Sequence, residues 1–230
     1  MNQKTSNIKK LEVACFNFQS ALNAIAARAS RIEFCSDYKS GGLSPDPEEF
    51  TILKEISSVP VYVMIRPRRG DFIYSSAEIK KMQELIKIFT DCRSDGFVFG
   101  ILTPDSKVDI EANSKLIIEA GKLPCTFHRA FDYTAEPFDA LEDIIQMGFK
   151  NILSSGRQKT ALLGADFLSE LKKRAKNKIS FIAGGGVRSK NIDMLVQKFE
   201  TDFYHTSAIT GNKIIADMDE IKKILAIINP

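Results

Sequence analysis

Apolar residues along this chain keep two alternating rhythms. Short runs dense in Val, Ile, Leu and Phe recur at 11–16, 31–35, 61–66, 96–100, 125–129, 151–155, 179–183 and 202–207, and read as strands. Between them apolar residues return at helical spacing, which predicts helices over 19–28, 46–57, 75–92, 110–119, 137–147, 160–176, 189–199 and 217–228. In the third of these, Ile79, Met82, Leu85, Ile86 and Phe89 share one face, while Lys80, Lys81, Glu84 and Lys87 share the other.

The predicted strands are nearly continuous in apolar residues, as expected when helices cover both faces of a parallel sheet. Eight strand–helix units in 230 residues predict an α/β fold, a single (β/α)8 TIM-type barrel. A doubly wound open sheet is the rival, and it usually needs fewer strands at this length. One domain is expected over residues 1–230, with 1–10 as an N-terminal extension and 209–230 as a closing segment and last helix.

Composition narrows the class. A net charge of +3, with basic clusters such as Arg66-Pro67-Arg68-Arg69 interleaved with acids, argues against nucleic acid as a partner. Residues 1–10 are polar and basic, without the apolar core of a secretory signal. No stretch approaches the ~20 apolar residues of a membrane span. Cys15, Cys35, Cys92 and Cys125 lack any CxxC spacing, and unpaired thiols suit a reducing compartment, so a cytoplasmic protein is expected. A homo-oligomer is compatible with all of this.

The chemistry lies where strands end. Thr126-Phe127-His128-Arg129-Ala130-Phe131-Asp132 carries a buried run into a histidine, an arginine and an aspartate. Charged groups there are expensive unless they serve a site. In a barrel the C-terminal strand ends form one mouth, which collects Cys35, Arg66, His128, Arg129, Ser155, Gly184 and His205. Side-chain alternation puts Glu33 and Cys35 on one face, Glu12 and Ala14 on one face, and Cys15 towards the helices. His128 reads either as a general base or soft-metal ligand, or as a buried histidine satisfied by Glu12 or Glu33. Glu12 and Glu33, with Asp132, are acid/base candidates; the two glutamates read equally well as counter-charges for Arg66 and Arg129. Gly184-Gly185-Gly186-Val187-Arg188 opens a helix after the seventh strand, where backbone amides can cradle an anion. Arg66, Arg129 and Ser155, with His205, complete a candidate set for a small anionic metabolite, phosphorylated or carboxylated.

Taken together, these segments resemble the CutC family, named for copper homeostasis. The resemblance rests on Leu11-Glu12-Val13, on Arg31-Ile32-Glu33-Phe34-Cys35 and on Gly41-Gly42-Leu43-Ser44-Pro45. It continues through residues 64–75 and 97–103, Thr126 to Asp132, Ser155-Gly156 and Gly184-Gly185-Gly186-Val187. It implies a TIM-type barrel, a cytoplasmic location and an association with copper, with Cu(I) as the candidate ion. Cu(I) prefers sulfur, and Cys35, which matches a family cysteine, is the candidate ligand with His128. The chain departs from the pattern at Ala14, Ile73 and Thr134, where relatives carry cysteine often or sometimes. It is also short over 209–216, where relatives often carry an arginine-bearing stretch. The resemblance makes copper handling the leading function; the arginines, histidines and carboxylates of the mouth give the alternative, an enzyme that uses His128 and carboxylates to move a proton on an anion.

Overall fold

A computed structural model describes residues 8–212 and 214–230. The chain runs β1 (Lys10–Cys15), α1 (Phe18–Ala26), β2 (Arg31–Phe34), α2 (Pro47–Ile56), β3 (Val61–Met64), α3 (Ser76–Asp91), β4 (Gly96–Phe99) and α4 (Ile110–Ala120). It continues with β5 (Cys125–Phe127), α5 (Pro137–Met147), β6 (Asn151–Ser154), α6 (Ala165–Ala175), β7 (Ser180–Gly184), α7 (Ser189–Lys198), β8 (Phe203–Thr206) and α8 (Met218–Ile228). Each strand pairs in parallel with the next, and β8 closes onto β1 with Glu12 opposite His205. That closure excludes the open-sheet rival and makes the fold the expected (β/α)8 barrel.

Strand alternation separates two interiors. Leu11, Val13 and Cys15 face outward into the apolar layer between strands and helices, together with Ile32, Phe34, Val63, Phe97 and Phe127. Inside the barrel a small apolar cluster of Cys35, Tyr62, Met64 and Val98 packs against Phe16. Ala14 and Leu153 also face the interior, beside its charged residues, but the outer layer is far larger and supplies most of the hydrophobic stabilisation.

Several elements are shorter than the pattern predicts. Residues 1–7 of the expected extension lie outside the described residues, and Lys10 already belongs to β1. Strands β3 and β5 stop at Met64 and Phe127; a 3-10 turn, Arg129–Tyr133, takes over behind His128, whose ring accepts the Ala130 amide. The helix expected from residue 160 starts at Ala165. The segment before it folds over the mouth, with the Ala161 amide donating to the Gly185 carbonyl. Gly164 and Gly156 make that fold possible. A β-carbon on Gly164 would lie 2.0 Å from the Ser155 carbonyl oxygen, and one on Gly156 would lie 2.3 Å from the Gly164 oxygen.

Candidate functional site

The floor of the site is an ion-paired chain of side chains on β8, β1 and β2. Register sets Glu12 beside both Arg31 and His205. The Arg31 Nε donates to Glu12 Oε2, and its guanidinium lies 4.2 Å from the ring centres of both Tyr62 and Phe203. This cation–π sandwich holds the positive charge at the bottom of the barrel. Glu12 Oε1 bonds His205 Nδ1 at 2.8 Å, and His205 Nε2 lies 3.6 Å from Glu33 Oε2.

These contacts split the two carboxylates. Burial alone would raise the pKa of Glu12, but the Arg31 charge and the His205 hydrogen bond hold it down at about 2. Glu33 has no such partner. Burial, with the neighbouring Glu12 charge, lifts it to about 7 against the pull of His205 and Arg31. Burial opposes the charged form of His205, yet Glu33 and Glu12 win and raise its pKa. One carboxylate is thus a fixed counter-ion, and the other can gain or lose a proton near neutrality.

Above this floor opens a cavity of about 370 Å³ whose wall includes Glu33, Met64, Arg66, His128, Arg129 and His205. Gly185, Gly186, Arg188 and Ser207 complete its far side. His128 is not satisfied by either glutamate, as one reading of the sequence had it; that partner is His205. The His128 Nδ1 accepts the Ala130 amide at 3.3 Å, and its buried Nε2 has no partner among the described residues. Burial and the Arg66 charge push its pKa down to about 3, so the ring is neutral at physiological pH. Gly100 makes room for it, since a β-carbon there would lie 2.8 Å from Nδ1.

The two arginines at the strand ends differ. Arg66 donates to the carbonyls of Ser40, Gly42 and Gly70 and lies 4.9 Å from the Phe72 ring centre, clamping two loops; its buried Nε has no hydrogen-bond partner among the described residues. Arg129 gives Nε to Asp132 and Nη2 to Ser155, each at 2.9 Å, and leaves Nη1 without a partner among the described residues. Asp132 accepts from the Ser154 hydroxyl and from the amides of Ser155 and Arg157. Its oxygens are fully engaged in aiming Arg129 and anchoring the loop after β6. Ser155 stands behind Arg129 in the same network.

The glycine run divides by role. A β-carbon on Gly184 would strike the Leu153 side chain at 2.5 Å and crowd His205, so this glycine makes space. Gly185 and Gly186 have φ of 110° and 67°, and their amides donate no hydrogen bond among the described residues. A β-carbon on Gly185 would lie 3.6 Å from the Arg129 guanidinium carbon. Two amides without a partner among the described residues, beside an arginine, are donors that an anion could use. The first turn of α7 is not part of it, because Glu220 already takes the Ser189 amide at 2.6 Å.

Cys35 does not reach the cavity. It is buried beside Gly42 and Phe16, and its thiol leans towards the Glu33 carbonyl. Burial and the Glu33 charge push its pKa well above the ordinary thiol value, away from the thiolate a metal needs. Among the described residues, the group of three with ligand atoms within 4.8 Å of one another is Glu12, Glu33 and His205, not Cys35 and His128. Both Glu12 oxygens are already committed to Arg31 and His205. Arg31, Met64 and Arg188 are site residues that the sequence reading passed over. Arg31 was signalled by its two-residue spacing from Glu33, and Arg188 by its place at the end of the glycine run.

A closed barrel with a cavity at its C-terminal mouth, above an ion-paired carboxylate–histidine floor, defines a TIM-type barrel protein. The CutC family model matches residues 9–210, and the chain belongs to the CutC family. A CutC family protein of Porphyromonas gingivalis is 40% identical over 198 residues, covering 86% of this chain and 80% of that protein. The human copper homeostasis protein cutC homolog is 38% identical, over 86% of this chain and 72% of its own length. The CutC structure from Streptococcus agalactiae superposes with a TM-score of 0.83 at 29% identity, covering 88% of this chain and all of that one. Phosphoribosylanthranilate isomerase of Thermotoga maritima, at 13% identity and a TM-score of 0.64, shares the fold alone.

Proposed function

We propose that this chain binds a small anionic metabolite at the mouth of the barrel and moves a proton on it. The observation that carries this reading is Glu33. Its side chain lines a cavity that Arg129, Gly185 and Gly186 also line, and its buried Oε1 has no hydrogen-bond partner among the described residues. A carboxyl that titrates near 7, opposite a cationic anion nest, suits general acid/base chemistry on a bound anion. In this reading Arg129, held by Asp132 and Ser155, and the two glycine amides bind the anion; Glu33 and His205 carry the proton. Arg66 and Gly184 shape the wall, and Glu12 holds His205 in place.

Inorganic phosphate should therefore raise the melting temperature of the wild type, and Arg129→Ala should abolish that increment. The increment, not the absolute melting temperature, is the readout, because Arg129 also supports the loop after β6. An equal increment in the variant would refute the assignment.

Copper handling is the second reading, favoured by the name that the human and mouse relatives carry and by the Met64 thioether on the cavity wall. Cu(I) wants thiolate and thioether donors. The donors at this mouth are mainly carboxylate and imidazole, and the Cys35 thiol lies behind Phe16, so they fit Cu(I) poorly. An anaerobic Cu(I) titration whose affinity depended on Cys35 would favour copper over the anion. Four free cysteines support a reducing cytoplasmic setting for either activity, and among the described residues no helix is long and apolar enough to cross a membrane.

A further inference from the structure

We infer that His128 is a neutral hydrogen-bond donor to a substrate carbonyl oxygen, so that the metabolite is a small phosphorylated or carboxylated carbonyl compound that Glu33 enolises. The inference rests on the anion-handling reading above and adds to it the substrate class and the reaction.

It begins with a count of hydrogens. The Nδ1 of His128 accepts the Ala130 amide, so that nitrogen carries a lone pair. A neutral imidazole then holds its proton on Nε2. That N–H is buried, only 4% of the residue being exposed, and it meets no acceptor among the described residues. Buried donors are almost always satisfied, and His128 is one of the residues that line the mouth cavity. An oxygen of the ligand is the missing partner.

The surroundings keep this donor neutral and dry. The edge of the Phe72 ring packs on the imidazole with ring centres 4.8 Å apart, and Phe127 lies on another side at 6.3 Å. The Arg66 guanidinium, stacked on Phe72, disfavours a second positive charge on the ring. A neutral N–H fixed in this way stabilises an oxygen that gains negative charge during reaction.

The step that joins His128 to Glu33 is balanced without any added reagent. The Glu33 carboxylate takes the proton from the carbon next to the carbonyl. The C–H electron pair becomes a carbon–carbon double bond, and the carbonyl π pair moves onto oxygen as an enolate. The His128 Nε2–H holds that oxygen. Glu33 then returns the proton to carbon, and the carbonyl re-forms. An anion nest, a donor for the developing oxyanion and a carboxylate base around one cavity are the parts that this sequence requires.

Calorimetry on the full chain with two probes, inorganic phosphate and 2-phosphoglycolate, tests the inference, since the carboxylate of the second mimics the enolate oxygens. Wild type, His128→Leu and His128→Gln should bind phosphate within about twofold of one another. In the wild type 2-phosphoglycolate should bind at least about tenfold tighter than phosphate. His128→Leu should lose that advantage, and His128→Gln, which restores an N–H near the Nε2 position, should recover part of it. An advantage kept in His128→Leu, or absent from the wild type, overturns the role of His128. Phosphate that fails to bind the wild type overturns the anion reading itself. Nitrogen-15 spectra of the wild-type imidazole give a check that needs no variant: a neutral ring protonated on Nε2 from pH 5.5 to 8 is expected. A proton on Nδ1, or a charged ring, overturns the inference.

Discussion

Glu33 holds an expensive position, a carboxyl inside a barrel with one oxygen near His205 and the other without a hydrogen-bond partner among the described residues. The folded protein keeps its proton up to about 7, whereas an unfolded glutamate releases it near 4.5. Across that interval the folded state binds more protons, so this group makes stability fall as pH rises. His128 acts with the opposite sign from pH 6.5 down to about 3, because its folded form resists protonation. The test is therefore a difference between two profiles. Glu33→Gln should gain stability relative to wild type as pH rises from 5 to 7.5, by up to about 3 kcal/mol for a shift of this size. Parallel profiles by urea unfolding would mean that Glu33 titrates normally. At this scale the sequence singled out Glu12, Glu33 and His205 but not how they pair. Glu12, Glu33 and His205 were all readable as interior positions. Their pairing depends on β8 closing against β1, a contact between the two ends of the chain that no local pattern encodes.

At the scale of elements, the start of α7 shows why a glycine run before a helix need not place an anion on that helix. Glu220 of α8 fills the position, accepting both the Ser189 amide at 2.6 Å and the Ser189 hydroxyl at 2.7 Å. Asp217 in turn caps α8 by accepting the Asp219 and Glu220 amides. The last helix is thereby tied to the glycine loop that borders the cavity. Glu220→Ala should destabilise the fold by about 1–2 kcal/mol, the range for losing a cap and leaving buried donors unpaired; an unchanged melting temperature would contradict this account of α7. Strands and helices were legible because apolar spacing reports burial directly. The loop over 157–164 was not, since Leu162 and Leu163 continue a helical rhythm while the backbone must first pass between Gly156 and Gly164.

Taken whole, the molecule divides its work between two interiors. The outer apolar layer holds the barrel together, which leaves the inside free to carry Arg31, Glu12, Glu33 and His205. A packed hydrophobic centre would be more stable, and buried ion pairs are weak evidence of stability, so the polar centre is better explained by chemistry at the mouth. Family membership was readable from the strand-end motifs, because those residues are set by the mouth they build. The thiol assignment was not settled by them, because whether Cys35 reaches the cavity depends on how Phe16 and Gly42 pack over it. The most direct measurement is a crystal structure of the full chain grown with 2-phosphoglycolate. The account predicts the phosphate between the Gly185–Gly186 amides and Arg129, with a carboxylate oxygen within hydrogen-bond distance of His128 Nε2. A mouth left clear at saturating ligand, or the ligand seated elsewhere, would contradict it.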